Sequence, residues 1–322
     1  MMSIGPAAEQ ELLPRWHRRH FSRIGLGLSA QMITMIAFQI AVAWLLTLLY
    51  GLDVVSGLGE AGELLFILAE NILPSVLSAL VFYCIVRPAP VRMPEERRPL
   101  GPAAFLRAYL VSGMALYLFS YFTSLLTGLI GALRGVPVTD PTESIFEMPL
   151  PAVILITCVV APIVEETVFR RLLLPRLRPY GDRFAVFASA LCFALMHGNL
   201  SQFFYAFALG VILGQVFLNT GCVWQTMVLH GLINAIGGVL PYLTETYMGE
   251  VGYVVYLGVV LGFIVLGAVC LLYALCRKRE TPPEPGAYAL RAGEEWRLFF
   301  LNFGMLLFFA LFGLMTVLFL IL

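Results

Sequence analysis

The chain is 322 residues long, 60% hydrophobic and 12% charged, with 20 basic and 20 acidic residues in balance and a mean hydropathy of +0.89. A soluble domain runs nearer half apolar and a quarter charged, so this composition excludes one and describes a polytopic membrane protein. Zero net charge leaves no electrostatic footprint for nucleic acid, and membrane lipids are the expected surroundings.

A basic arm at 1–23, carrying Arg15, Arg18, Arg19 and Arg23 with His17 and His20, opens the chain. A helical span needs roughly 20 apolar residues, and about nine stretches qualify: 24–50, 64–86, 103–133, 149–174, 184–197, 202–219, 222–242, 251–276 and 298–322. The fifth and sixth are short, as befits helices that line a cavity rather than face lipid. The first is too long, and lacks the small-x-small site, for a cleavable signal peptide. The fold class expected is all-α, a polytopic transmembrane helical bundle of about eight to nine spans. Two linkers rich in Pro and charge, 87–102 and 277–297, are expected to be solvated. They divide the chain into the arm at 1–23, a helical pair with its linker at 24–102, a central membrane domain at 103–276, the linker at 277–297 and a final helix at 298–322.

All the basic residues but Arg107 and Arg134 fall at 15–23, 87–98, 170–183 and 277–297. The alternate loops carry Asp53, Glu60, Glu63, Asp140, Glu143, Glu147, Glu245 and Glu250. The positive-inside rule then places the N-terminus in the cytoplasm of an integral protein of the cell membrane. The six cysteines lie in or beside apolar spans with no CxxC or CxxH pair, so they read as small apolar residues. Gly210 and Gly214 form a GxxxG that is read as intramolecular packing. Glu70 and Asn71 before Pro74 read as snorkelling or capping groups, and Arg107 as snorkelling to the cytoplasmic face. The aromatic run Phe203-Phe204-Tyr205 reads as an interface belt, or as one wall of a substrate groove.

Both histidines outside the arm, and a pair of glutamates, sit inside apolar segments, where ionisable groups are costly. Glu166 and Arg170 are i and i+4 on a helix and can satisfy each other. Glu165 is rotated about 100° from Glu166 and is free to face a cavity. All three could instead form one structural ion-pair network. Phe193 and His197 repeat the i, i+4 spacing, which also suits a satisfied core histidine. His230 and Asn234 repeat it again, as two neutral donors able to hold an oxyanion or as helix–helix hydrogen bonds. Counting the rise from the basic ends, His197 lies about 21 Å deep and Glu165 about 15 Å. That suggests a mid-membrane cavity facing the cytoplasm, with a tilted or re-entrant helix to absorb the offset.

The ordered set EExxxR (Glu165, Glu166, Arg170), FxxxH (Phe193, His197) and HxxxN (His230, Asn234) resembles the three motifs of the type II CAAX prenyl endopeptidase and bacteriocin-processing (CPBP) family of intramembrane proteases. The segment QFFYAFALGVILGQVFLNTGCVWQTMVLHGLINAIGG resembles the family as well, and the likeness covers about 149–240. The resemblance implies a glutamate-type endopeptidase acting on a membrane-embedded or lipidated peptide or protein. It implies Glu165 as the base that activates water with His197, His230 and Asn234 as the oxyanion hole, and Glu166, Arg170 and Phe193 as structural partners. It implies no cofactor and no metal. Two alternatives use the same residues: a zinc metalloprotease with Glu165, His197 and His230 as ligands, and a non-catalytic immunity or assembly protein.

The charge alternation predicts that reporters fused after Arg98 and after Glu147 report opposite sides of the membrane. Equal signals from both would overturn the topology.

Overall fold

The computed structural model describes residues 6–51, 59–95, 98–138, 140–143, 147–277, 282–288, 290–291 and 293–321. Asp53, assigned above to an outer loop, and residues 278–281 of the second linker lie outside them. The described residues are helical without a strand, and seven helices are long and apolar enough to cross a membrane. The protein is an integral membrane protein with an all-α bundle.

Helix α1 (Pro6–Gly51) is continuous through the basic arm. It forms an antiparallel pair with α2 (Gly59–Val86), where Gly27 lies against Phe82 and Val86. Within α2, Asn71 donates to the Ile67 carbonyl (2.8 Å) one turn ahead of Pro74. Helix α3 (Pro102–Arg134) leads into α4 (Leu150–Tyr180), α5 (Asp182–Met196) and α6 (Leu200–Thr220). Helix α7 (Val223–Asn234) continues through a wide turn, Ala235–Val239, into α8 (Leu240–Cys276). A short α9 (Glu294–Phe300) and the apolar α10 (Phe303–Ile321) follow.

The run from α7 to α8 is 54 residues of continuous apolar helix, but it is two crossings. A straight helix would hold Ile236 and Tyr256 about 30 Å apart. Tyr117 of α3 touches both, donating its hydroxyl to the Ile236 carbonyl (2.9 Å) and meeting the Tyr256 ring edge-on at 6.1 Å between centroids. The reversal occurs at Gly249, whose φ of 53° and ψ of −134° are open only to glycine. This separates the spans expected at 222–242 and 251–276.

Helices α4 and α5 form a hairpin about Gly181, which sits at φ 110° with the backbone of Gly286 close by. At 15 residues, about 22 Å, α5 is too short to cross the hydrocarbon core. It stops at His197, and Gly198 (φ 69°) turns the chain back into α6. Gly210 and Gly214 let α6 pack closely on Ala190 and Val186 of α5, so the GxxxG serves intramolecular contact.

Three wide π-helical turns interrupt the central helices at Ile154–Val160, Thr167–Leu173 and Ala235–Val239. Each ends just ahead of a proline: Pro162, Pro175 and Pro241. Proline has no N–H to return to the helix, so the carbonyl it would have bonded is released. Two of the released carbonyls take side-chain donors from other helices, Thr157 from Asn234 (2.7 Å) and Ile236 from Tyr117.

The second linker is not simply solvated, contrary to the sequence expectation. Gly181 pairs with Pro285 as an isolated bridge, the Asp182 N–H donates to the Glu284 carbonyl (3.0 Å), and the Ala287 N–H donates to the Pro179 carbonyl (2.8 Å). Glu284 lies between Arg92 (2.7 Å) and Arg178 (3.1 Å), which explains how a charged, proline-rich stretch is held in place. The arm is likewise packed. His17 and His20 are buried, His17 Nδ1 lies 2.9 Å from the Tyr180 hydroxyl, and His20 Nε2 donates to the Arg176 carbonyl (3.0 Å).

The crossing of α1 and α10 is a glycine contact. A Cβ on Gly304 would meet the Ser22 carbonyl of α1, and one on Gly25 would meet the Gly304 carbonyl. Gly304→Ala must therefore push backbone from backbone, at a cost of about 1–3 kcal/mol. Gly313→Ala, with open space around it, is the control. In detergent the first should lower the unfolding temperature and the second should not.

Candidate active site

The first motif lies on α4, in a short α-helical segment between the first two π turns. Glu166 is completely buried. One carboxylate oxygen lies 3.1 Å from Arg170 Nε, one turn on, and the other 3.1 Å from Nδ1 of His230 on α7. Arg170 is equally buried, and its guanidinium lies over the Phe193 ring of α5 at 4.7 Å. The i, i+4 pair expected from sequence is present, and it extends across three helices.

Glu165 faces the other way, as the 100° rotation requires. Its side chain is 31% exposed, and Oε2 lies 3.8 Å from His230 Nε2. His230 therefore stands between the two glutamates, one on each ring nitrogen. Its position depends on a close helix approach: a Cβ on the neighbouring Gly231 would meet the Cys158 carbonyl. Asn234, one turn on, reaches the Thr157 carbonyl released by Pro162.

Phe193 organises the imidazoles. Its ring meets His197 edge-on at 5.0 Å, His230 at 5.7 Å and Phe169 at 5.1 Å. His197 Nδ1 lies 2.9 Å from the Phe193 carbonyl. A carbonyl only accepts, so Nδ1 carries the proton and Nε2 of the neutral ring keeps its lone pair.

Glu165, Phe193, His197, His230 and Asn234 line one cavity of about 360 Å³. Glu166 and Arg170 lie behind the wall. The depth offset computed from sequence disappears, because α4 continues to Tyr180. Glu165 precedes Gly181 by as many residues as His197 follows it, so an antiparallel hairpin puts them at one level. Further lining comes from α3 between Leu116 and Thr127, from Ile156, Thr157 and Ala161 of α4, from α6 between Ser201 and Leu209, from Asp140 and Thr142, and from Ile233, Gly237, Gly238 and Tyr256. Asp140 and Thr142 belong to an acidic loop. The cavity is thus lined in part by an acidic loop and by none of the basic clusters, where the sequence suggested a cavity facing the cytoplasm.

Sequence reasoning missed Thr157, Asn199 and Gln202, and treated Tyr205 as belt or groove wall; Tyr205 lines the cavity. A signal for Asn199 and Gln202 was present: Asn at an N-cap with Gln three residues on is a helix-start pattern. Among the described residues no three His, Cys, Asp or Glu side chains converge as a metal-holding group.

Arg170→Ala would strand a buried carboxylate, a loss of about 3–5 kcal/mol for a pair of this kind. Unfolding of the variant in detergent should show a steep drop in stability. Glu166→Gln combined with Arg170→Met, which removes both charges, should recover part of it. Equal losses in the single and double variants would show that the ion pair is not what matters.

Residues 147–236 match the family model described as Type II CAAX prenyl endopeptidase Rce1-like, a stretch that contains all three motifs. No curated protein and no solved structure gives a match to the chain.

Proposed function

With the matched segment as premise, we propose that the protein is an intramembrane endopeptidase of the glutamate type, hydrolysing a peptide bond in a membrane-embedded or lipidated peptide or protein. The observation that carries this reading is the convergence of Glu165, His197, His230 and Asn234 on one cavity within the bundle. Glu165 is the only one of the two acids that reaches that space, and Glu166 is committed to Arg170 and His230.

In this mechanism water sits between the Glu165 carboxylate and His197 Nε2. Glu165 takes one proton as the oxygen attacks the carbonyl carbon, and the carbonyl π electrons move onto its oxygen. Asn234 donates to that oxyanion from an amide N–H. His230 donates from Nε2 when both ring nitrogens carry protons. Collapse of the tetrahedral intermediate breaks the C–N bond, and the proton held by Glu165 passes to the departing amine, directly or through His197. Water-derived oxygen stays on the new carboxyl group, so atoms and charge balance.

The N-terminus is proposed to be cytoplasmic and the protein to reside in the cell membrane, on the distribution of basic loops. The substrate then reaches the cavity from the side of Asp140 and Thr142.

Glu165→Gln keeps the shape and removes the base. Turnover should fall by at least about 10²-fold, the scale of general-base catalysis. Comparing membrane peptides from cells carrying wild-type protein or Glu165→Gln identifies substrates as fragments that disappear in the variant. The purified proteins should unfold at the same temperature. Unchanged fragments and unchanged turnover in the variant would sink the assignment.

A further inference from the structure

Beside the motif residues runs a hydrogen-bond chain with only one direction open to it. Asn199 caps α6, its Oδ1 accepting from the Gln202 backbone N–H (2.9 Å). A backbone N–H can only donate, so the amide orientation of Asn199 is fixed. Its Nδ2 then spends both hydrogens, one on the His197 carbonyl (2.8 Å) and one on Gln202 Oε1 (2.8 Å). That fixes Gln202 in turn, and Gln202 Nε2 donates to the Tyr205 hydroxyl (2.9 Å). The Tyr205 oxygen is thus an acceptor in the chain, and its own hydrogen is free to donate. Tyr205 lines the same cavity as Glu165, His197, His230 and Asn234.

The donor census of the cavity gives this hydrogen a use. Asn234 has already spent one N–H on the Thr157 carbonyl. His230 holds Nδ1 against Glu166, so a neutral His230 turns a lone pair, not a hydrogen, toward the cavity. That leaves one amide N–H, joined by His230 Nε2–H only when both ring nitrogens carry protons.

Resting on the endopeptidase reading above, we infer that the Tyr205 hydroxyl is a further donor to the substrate carbonyl as it becomes an oxyanion, with Gln202 and Asn199 as positioning residues that aim it. The chain also ends on the carbonyl of His197, so the residue that orients the water and the donor for the oxyanion are held by one capping structure.

The test uses the full-length protein in micelles and a quenched fluorescent acyl-peptide that the wild-type chain cleaves. Tyr205→Phe deletes only the hydroxyl. It should lower kcat by about 10- to 10³-fold with KM within about threefold, the pattern of a group used in the transition state. Gln202→Leu leaves the hydroxyl but not its direction, and should fall between wild type and Tyr205→Phe. Unfolding temperatures of all three should agree. A wild-type kcat for Tyr205→Phe, or a change confined to KM, overturns the inference. Glu165→Gln is measured beside them. If it is silent while Tyr205→Phe runs at the wild-type rate, the inference falls and the endopeptidase reading stands. If Glu165→Gln is fully active, the reading of Glu165 falls, while a slowed Tyr205→Phe still supports the hydroxyl as a donor.

Discussion

A carboxylate with no access to water governs the arrangement of this bundle. Glu166 is enclosed in a region that the chain's composition assigns to lipid, and an ion there is costly unless an opposite charge lies beside it. Arg170 supplies the charge from the same helix, but its guanidinium must be held in place, and Phe193 of α5 does this from one side. The second oxygen needs a donor, and His230 of α7 supplies it. One acid therefore sets the rotation of α4 and its spacing from two neighbours. Glu165, next in sequence and rotated by about 100°, is left facing the cavity. The residue proposed to do chemistry owes its orientation to the one that does none.

The level of the site follows from a second constraint, the hairpin of α4 and α5 about Gly181. A helix pair that turns at Gly181 places residues equally distant from it at a similar level, and Glu165 and His197 are such a pair. Prolines then shape the walls. Pro162 and Pro241 leave helix carbonyls without a partner, and the donors that fill them, Asn234 and Tyr117, both line the cavity. In lipid a released carbonyl has no water to turn to, so a proline inside a span recruits a polar side chain from an adjacent helix. Here that requirement draws the helices into register around the site.

Much of this was open to reading from the sequence, and the misses share a cause. Helical content, most span positions and the i, i+4 pairs are local properties set by hydrophobic period and short spacing, and Glu165, Phe193, His197, His230 and Asn234 share one cavity. What a linear reading misjudged was relational. The depth of Glu165 was counted from a basic cluster, whereas α4 runs on to Tyr180. The cavity was expected to face the cytoplasm from depth alone, whereas its lining includes Asp140 and Thr142 of an acidic loop. The linker at 277–297 looked solvated on composition, because the partners that hold Glu284 lie far away in sequence at Arg92 and Arg178. Pro162 and Pro241 were legible as helix breakers inside spans, but their effect depends on which neighbouring helix presents a donor.

The segments outside the matched region acquire a role from where they make contact. From α1, His17 and His20 bind Tyr180 and the Arg176 carbonyl. From α2 and the linker after it, the Val86 carbonyl accepts from Arg176 Nε, the Arg92 N–H donates to the Pro175 carbonyl, and the Met93 carbonyl accepts from Arg178. From the second linker, the Glu284 N–H meets Asp182 and Pro285 pairs with Gly181. Every one of these bonds falls between Pro175 and Asp182, at the closed end of the hairpin. A hairpin whose arms carry Glu165 and His197 about 24 Å from its turn would amplify any rocking at the turn into displacement at the site. The proton transfer proposed between those groups and a shared water tolerates little such displacement. Bonds from three separate parts of the chain hold the turn and oppose that rocking at its origin, while Asp140 and Thr142 line the cavity away from it.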